Sequence, residues 1–489
     1  MSSEPNYYDI LGIKPNASDE AIQAVFAKLS AKFSKSAGGV DGPQYQRLLQ
    51  AYEALSDPER RKTYDALIAE TESAPLNLTV QASRTQLSLT NTPQIIYLLL
   101  EANPPQKVEE RRRPLNLCLV LDRSTSMQGA RLTALKTAVG LIIEKLAPED
   151  IISIVTFSDR GELNQPPTHV SNRNGIIAQI RQIQASGGTE IFQGLLTGVQ
   201  ALRQTPLNQY TNHLILLTDG HTYGDEAECL DMASRAAGQQ IGLSAFGLGS
   251  EWNDDLLDRL VAFSGGQSAF IEEPEQIVNH LQKRIQGLGM VHARNVCLKN
   301  PSLDNLKLQY AFKLLPFAQP VSTTEEDIRL GNIEGKGVLS ILLELTLPPQ
   351  TRESRITVPL ELTADFPARN IKGLTLKKQV QLVVIANPAE ADLPQDLVKA
   401  VRLLNMYRMN EKVWQELEAG NVGSAATRLR HLTTRLLEAG EIKLAQQAYA
   451  ETERLAAVGS LSPEGRKKLK YGTRAMIGGA IRTENNDSM

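Results

Sequence analysis

The chain has 489 residues, more than one hydrophobic core supports, so roughly three or four domains are expected. Hydrophobic residues make up 42% of it and charged residues 22%, as in ordinary globular proteins. Its formal net charge of -3 predicts no general affinity for nucleic acid or for anionic membranes.

The first segment, residues 1–70, has a helical pattern. Apolar residues recur at the spacing of one buried helix face from Asp19 onward, and a second helix carries Tyr45, Leu48 and Leu55 on its apolar side. This pattern predicts a small helical domain.

Residues 6–67 resemble a DnaJ-type J-domain. The matching residues, which in that family largely pack the helical hairpin, are Tyr7, Leu11, Gly12, Ala51, Tyr52, Leu55, Ser56, Asp57, Arg60, Tyr64 and Asp65. The family carries His-Pro-Asp after its second helix, whereas this chain has Ser34, Lys35 and Ser36. In the family that tripeptide stimulates ATP hydrolysis by a DnaK-type chaperone. The resemblance therefore implies a J-like fold that has lost this activity and serves as a docking module or spacer.

Two separated stretches, residues 71–112 and 290–388, show apolar residues with a period of two. Such alternation indicates half-buried strands of an antiparallel sheet. The stretch between them, residues 113–289, has a different pattern. We therefore predict one β-sandwich whose first strands precede an inserted domain.

The insert alternates apolar strands with amphipathic helices. Strands are predicted at 115–121, 151–157, 214–218 and 241–248, and helices at 131–146, 175–183, 191–203, 226–237 and 275–286. This order predicts a mostly parallel sheet with helices on both faces, a doubly wound, Rossmann-like α/β fold.

The chain turns strongly helical in residues 389–482. Leucine and alanine recur at helical spacing over 397–417, 425–439 and 442–458, which predicts an antiparallel helical bundle. The basic runs 111–113 and 466–470 are interpreted as solvated linker and helix faces rather than nucleic-acid contacts. The polar residues 483–489 are predicted to form a disordered tail.

Five oxygen-bearing side chains follow predicted strands or precede predicted helices of the insert. They are Asp122, Ser124 and Ser126 in LDRSTSM, Thr189 in SGGTEI and Asp219 in LLTDG. Open α/β sheets place their ligand sites at the carboxyl ends of strands. Carboxylates and hydroxyls are hard oxygen donors that suit Mg²⁺. The sequence thus predicts a metal site there.

DRSTS, GGTE and LLTDG, in this order, resemble the metal-ion-dependent adhesion site of von Willebrand factor A domains, and the resemblance covers the whole insert. It implies that Ser124, Ser126 and Thr189 bind Mg²⁺ or Mn²⁺ directly, and that Asp122 and Asp219 act largely through water. In that family the last coordination position is left for an acidic side chain of a protein partner.

An enzymatic interpretation of these residues is weak. A serine nucleophile needs a nearby base, usually histidine. His213 is predicted at the far end of its strand, and His221 in a surface loop. No phosphate-binding GxxxxGK[ST] loop is present in the sequence.

We therefore expect a non-enzymatic, Mg²⁺-dependent interaction scaffold of a bacterial type, with a protein partner that presents an acidic residue. Two alternatives stay open. One is a DnaJ-type co-chaperone, which stimulation of a DnaK-type ATPase would favour. The other is a non-catalytic subunit of a ring ATPase or metal-insertion complex, which co-purification of an ATPase would favour.

The sequence also predicts a cytoplasmic location. Three cysteines, Cys118, Cys229 and Cys297, are too few and too scattered for a disulfide framework or a thiolate metal site. No basic and apolar leader is visible at the N-terminus, and the longest apolar runs are too short to span a bilayer.

Overall fold

The computed structural model describes residues 7–14, 17–33, 43–105, 112–222, 224–324, 326–389 and 392–487. Contacts between residues divide the chain into two compact units, and the larger one is Leu78–Gly478. The smaller unit contains the N-terminal helices.

The N-terminal helices are α1 (Tyr7–Leu11), α2 (Asp19–Phe33), α3 (Pro43–Leu55) and α4 (Pro58–Ser73). Helices α2 and α3 pack through stacked rings of Phe26 and Tyr52, whose centroids are 4.0 Å apart. The Tyr8 hydroxyl of α1 donates to Asp65 of α4 at 2.6 Å. The predicted helical hairpin is confirmed, while residues 34–36, where the His-Pro-Asp motif is replaced, lie outside the described residues.

Three strands precede the inserted domain: β1 (Asn77–Ala82), β2 (Gln86–Ser88) and β3 (Gln94–Asn103). Strand β3 holds the dense apolar run of the sequence, and most of its residues are buried.

The insert contains one six-stranded sheet. Its strands are β4 (Leu115–Asp122), β5 (Ile151–Phe157), β6 (Gly161–His169), β7 (Thr211–Thr218), β8 (Ile241–Leu248) and β9 (Gln267–Ile271). They lie in the order β6-β5-β4-β7-β8-β9, and all neighbours are parallel except β5 and β6.

Helices cover both faces of this sheet. They are α5 (Ala130–Lys145), α6 (Arg173–Arg181), α7 (Ile191–Leu202), α8 (Glu226–Gly238), α9 (Asp254–Ala262) and α10 (Ile277–Gly289). Along β4, Leu117 and Leu119 pack with α5, α6 and α10, whereas Cys118 and Val120 pack with α7, α8 and α9. The doubly wound fold is confirmed. Strands β6 and β9 and helix α9 were not predicted.

The chain then returns to the strands outside the insert. The remaining strands are β10 (Val291–Lys299), β11 (Lys307–Leu315), β12 (Gln319–Val321), β13 (Asp327–Glu334), β14 (Leu339–Leu347), β15 (Ser354–Phe366) and β16 (Ile371–Ile385). They complete two five-stranded sheets, β1-β3-β14-β11-β12 and β13-β10-β15-β16-β2. Because strands from before and after the insert pair with each other, the predicted interrupted sandwich is confirmed.

The insert and the sandwich join closely at one connection. Only Met290 separates the end of α10 from the start of β10. Arg284 of α10 pairs with Glu334 of β13 at 2.6 Å. Lys313 of β11, which is 1% exposed, donates to the backbone oxygen of Gly265 at 2.7 Å.

Four helices follow the sandwich: α11 (Gln395–Glu418), α12 (Val422–Glu438), α13 (Ile442–Val458) and α14 (Pro463–Asp487). The first three match the predicted bundle. Helix α14 extends to Asp487, whereas residues 483–489 were predicted to form a disordered tail.

The interpretation of residues 466–470 as a solvated face is wrong. Lys467 and Lys470 are about 5% exposed or less because they pack against the insert. Lys470 lies 2.6 Å from a carboxylate oxygen of Asp254 and 2.9 Å from one of Asp258, both on α9. Buried charges need such partners.

Across the described ranges, no helix combines the length and the apolar character that crossing a bilayer requires.

Candidate metal centre

The predicted site residues lie on three loops at one edge of the insert's sheet. Asp122 is the last residue of β4, and Asp219 directly follows β7. Since β4 and β7 are parallel neighbours, their carboxyl ends meet at this edge. Thr189 lies two residues before α7.

Asp122 is fully buried and held from two sides. One of its carboxylate oxygens accepts from the backbone N–H of Ser124 at 2.8 Å, and the other accepts from the Thr218 hydroxyl at 2.6 Å. Burial raises the pKa of Asp122 to about 6, although these hydrogen bonds lower it. The carboxylate therefore has a fixed orientation.

The hydroxyl groups form a continuous chain to the second carboxylate. Ser124 Oγ and Ser126 Oγ are 3.0 Å apart, and the Ser126 hydroxyl donates to Asp219 at 2.6 Å. A Cβ atom added at Gly220 would lie 3.1 Å from Thr189 Oγ1, so Thr189 lies against the turn that carries Asp219. All five predicted residues therefore lie close together.

The glycines before Thr189 allow this approach. Gly187 has a φ of +80°, and its carbonyl accepts from the backbone and hydroxyl of Thr125 at 3.1 and 2.9 Å. A Cβ at Gly187 would lie 2.5 Å from a carboxylate oxygen of Asp159. A larger residue at Gly187 would thus disturb the contact between its loop and the loop that carries Asp159.

The donor set fits a small divalent cation. Neighbouring ligands of octahedral Mg²⁺ are about 2.9 Å apart, because each Mg–O bond is about 2.0–2.1 Å long. The separation of 3.0 Å between Ser124 Oγ and Ser126 Oγ, the two predicted direct ligands of this loop, is close to this value. The described part of the chain contains no group of three or more His, Cys, Asp or Glu that could hold a metal. A metal here would depend on hydroxyl ligands.

One residue of the site was missed by the sequence analysis. Arg131, in the first turn of α5, pairs with Asp219 at 2.5 Å through the oxygen that Ser126 does not contact. The available signal was its position, because the positive end of a helix disfavours a cation in the first turn. Arg131 offsets part of the negative charge of the site.

Two histidines and Arg123 lie near the motifs in sequence. His213 is buried at the amino end of β7, where its Nε2 lies 2.9 Å from Ser244 Oγ. Burial lowers the pKa of His213 well below its ordinary value. His221 is exposed, and Arg123 pairs with Glu162 at 2.8 Å. The predicted position of His213, far from the serines, is confirmed.

Three domain families match the chain. They are the von Willebrand factor type A domain at residues 116–284, the DnaJ domain at residues 6–65 and the Sll0103-like, C-terminal alpha-helical domain at residues 395–479. The last covers the helices that follow the sandwich.

Relatives and solved structures resemble the chain over more than half of its length. Protein sll0103 of Synechocystis sp. is 26% identical over 329 residues, which are 66% of this chain and 78% of that protein. Inter alpha-trypsin inhibitor, heavy chain 4, of Mus musculus is 25% identical over 57% of this chain, but the match spans only 31% of the mouse protein. The structure of a von Willebrand factor type A protein from Catenulispora acidiphila covers 82% of this chain and 96% of its own, with a TM-score of 0.65 at 13% identity. That likeness shows the fold alone.

Proposed function

We propose that this chain, which contains a von Willebrand factor type A domain and a DnaJ domain, is a metal-dependent scaffold that binds an acidic side chain of a protein partner. The two families support a protein-interaction or co-chaperone role. Von Willebrand A domains are generally non-catalytic interaction modules that typically bind a divalent metal.

The observation that carries the proposal is the convergence of five oxygen-bearing residues at one sheet edge. Ser124, Ser126 and Thr189 would bind Mg²⁺ or Mn²⁺ directly, and Asp122 and Asp219 would orient them and the metal-bound waters. Three neutral hydroxyls leave much of the positive charge of the ion uncompensated. An acidic side chain of a partner can therefore replace a bound water favourably.

Calorimetric titration of Mg²⁺ and Mn²⁺ into the full chain tests the metal site. We expect a single class of sites that Ser126→Ala weakens at least about tenfold, since losing even an outer partner of a metal ligand has that effect. Ser126 is exposed, so the change leaves the core intact. Ser171→Ala, at an exposed serine of the same domain, is the control. Equal titrations for Ser126→Ala and the unmodified chain would refute the site.

The partner is tested by capture from a lysate with Mg²⁺, with chelator and with Thr189→Ala. The proposal requires proteins that are lost in both altered conditions. If all three capture sets agree, the chain acts through its sandwich or helices instead. Its cysteine content favours the cytoplasm as the place of this interaction.

A second candidate, a co-chaperone role, is favoured by the DnaJ match over residues 6–65. The replacement of the His-Pro-Asp motif by Ser34, Lys35 and Ser36 argues against stimulation of a DnaK-type ATPase. Single-turnover ATP hydrolysis with the full chain separates the two roles.

A further inference from the structure

A cavity of about 380 Å³ lies between the insert and the C-terminal helices. On the insert it is lined by His221 and by the loop that follows β8, including Ser250 and Glu251. On the helical side it is lined by Trp414 of α11 and by Arg466 and Lys467 of α14, among others.

The cavity borders the candidate metal centre. His221 is the second residue after Asp219. The loop after β8 is also adjacent, because β7 and β8 are parallel neighbours up to Thr218 and Gly247. Gly249 of this loop lies next to Arg131, since a Cβ there would be 2.9 Å from the Arg131 guanidinium. The cavity and the candidate metal centre therefore lie at the same edge of the sheet.

Two cations line the helical side and have incomplete partners. The Arg466 guanidinium lies 4.9 Å from the centre of the Trp414 ring, and its nearest carboxylate oxygen, on Asp254, is 3.5 Å from Nε. Nε of Arg466 and the indole nitrogen of Trp414 are both buried, and within the described residues neither N–H donates a hydrogen bond to the protein. Lys467 is 4% exposed and donates to the backbone oxygen of Ser250 at 2.6 Å. Burial lowers its pKa.

The cavity also contains two acids, and Asp254 lies 3.5 Å from Arg466. Asp254 is paired with Lys470 at 2.6 Å. Glu251 is exposed and accepts from the Ser250 hydroxyl at 2.9 Å. The planar guanidinium of Arg466, whose side chain is 32% exposed, thus remains as a donor for an added acceptor, and the buried indole N–H of Trp414 lies beside it without an acceptor among the described residues.

We propose that this cavity binds a second acidic side chain of the same partner segment, through Arg466, Lys467 and the indole N–H of Trp414. This inference rests on the proposed function, because the first acidic side chain is the one at the metal. The chain would then recognise a pair of carboxylates at a defined spacing, and the arginine would contribute both charge and a directional, two-point contact.

The test uses the full chain and a set of Gly/Ser peptides that carry either one glutamate or two glutamates at graded spacings. Binding is followed by tryptophan fluorescence, since both tryptophans of the chain, Trp252 and Trp414, line the cavity. In Mg²⁺ we expect one spacing at which two glutamates bind about tenfold more tightly than one, the effect of a charge-assisted contact.

Arg466→Met should abolish the advantage of the second glutamate while leaving the single-glutamate peptide unchanged. Arg466→Lys should retain only part of the advantage, because lysine keeps the positive charge but lacks the planar guanidinium that donates two parallel hydrogen bonds. Arg454→Met, at an exposed arginine of α13, is the matched control, and urea midpoints verify that each variant folds.

The outcomes separate the two proposals. If Arg466→Met and the unmodified chain show the same advantage at every spacing, the cavity proposal is wrong and the metal proposal stands. If the Arg466-dependent advantage persists in Ser126→Ala and in chelator, the cavity proposal stands and the metal proposal fails. If no peptide binds, both are overturned.

Discussion

Arg474 provides a strong test of how α14 is held against the insert. Its guanidinium, 5% exposed, donates to both carboxylate oxygens of Asp258 at 2.9 and 2.6 Å and to the Tyr407 hydroxyl at 3.1 Å. Burial raises the pKa of Asp258, but attraction to Arg474 and Lys470 outweighs it, so the pKa lies well below its ordinary value. The stabilisation is therefore complete at neutral pH and is lost only on acidification.

Arg474→Met should destabilise the larger unit by about 3 kcal/mol. Removing one partner of a buried ion pair costs about 3–5 kcal/mol, because the other charge stays buried. The lower end applies here, since Lys470 remains 2.9 Å from Asp258 and compensates part of its charge. Methionine keeps much of the apolar contact with Tyr407.

Urea denaturation followed by tryptophan fluorescence measures this loss of stability, because the Trp252 ring of the insert lies 5.7 Å from the ring of Tyr471, which is on α14 with Arg474. Adding Asp258→Asn to Arg474→Met should restore part of the stability and give a clear coupling energy in a double-mutant cycle. Arg454→Met is the exposed control. An Arg474→Met midpoint equal to that of this control would refute the assigned role of the ion pair.

Three further changes have defined outcomes. Gly247→Ala should lower the free energy of unfolding by about 1–3 kcal/mol, because the added Cβ would lie 1.9 Å from the Trp252 ring. Gly140→Ala, where an added Cβ meets no atom within 4 Å, should stabilise α5 by about 1 kcal/mol. Urea midpoints measure both effects. Burial and the nearby Arg284 lower the pKa of Lys313 from 10.5 to about 7. Between pH 7 and 10.5 the unfolded state therefore binds more protons than the folded state, so the free energy of unfolding rises with pH across this range. Lys313→Met should flatten that rise in denaturation at graded pH, and an unchanged slope would exclude Lys313 as its source. The unmodified chain should not accelerate single-turnover ATP hydrolysis by a DnaK-type chaperone, given residues 34–36, and clear stimulation would contradict this.

The fold could be predicted where the periodicity of apolar residues was strong. The prediction failed where tertiary contacts determine the local structure. Strand β8 matches its predicted bounds, because its residues are apolar and nearly all buried. Strand β6 was missed because it contains Pro166 and Pro167, which weaken a strand pattern. Such residues are tolerated here because β6 is an edge strand. Residues 466–470 look solvated by composition, and their burial is explained by tertiary contacts, the carboxylates of α9 for Lys470 and the backbone oxygen of Ser250 for Lys467.

The candidate site was likewise predicted only in part. Its five oxygen-bearing residues could be found because each stands at a strand end or helix start that the sequence marks. The position of Arg131 in the first turn of a helix marked it as unusual, but its partner Asp219 could not be identified from sequence, because the two lie 88 residues apart. The Thr218 hydroxyl that orients Asp122 was likewise invisible, since nothing in the local pattern distinguishes it from the rest of its strand.

The single residue between α10 and β10 has a mechanical consequence. A helix advances about 1.5 Å per residue, so one residue provides almost no slack to absorb axial movement. Any shift of α10 would therefore pull on β10, which already carries register irregularities against β13 and β15. The ion pair of Arg284 with Glu334 adds a second connection between α10 and the sandwich at the same place. Tension applied to a ligand held by the insert would thus load the sandwich directly, as it would not if a flexible linker connected them.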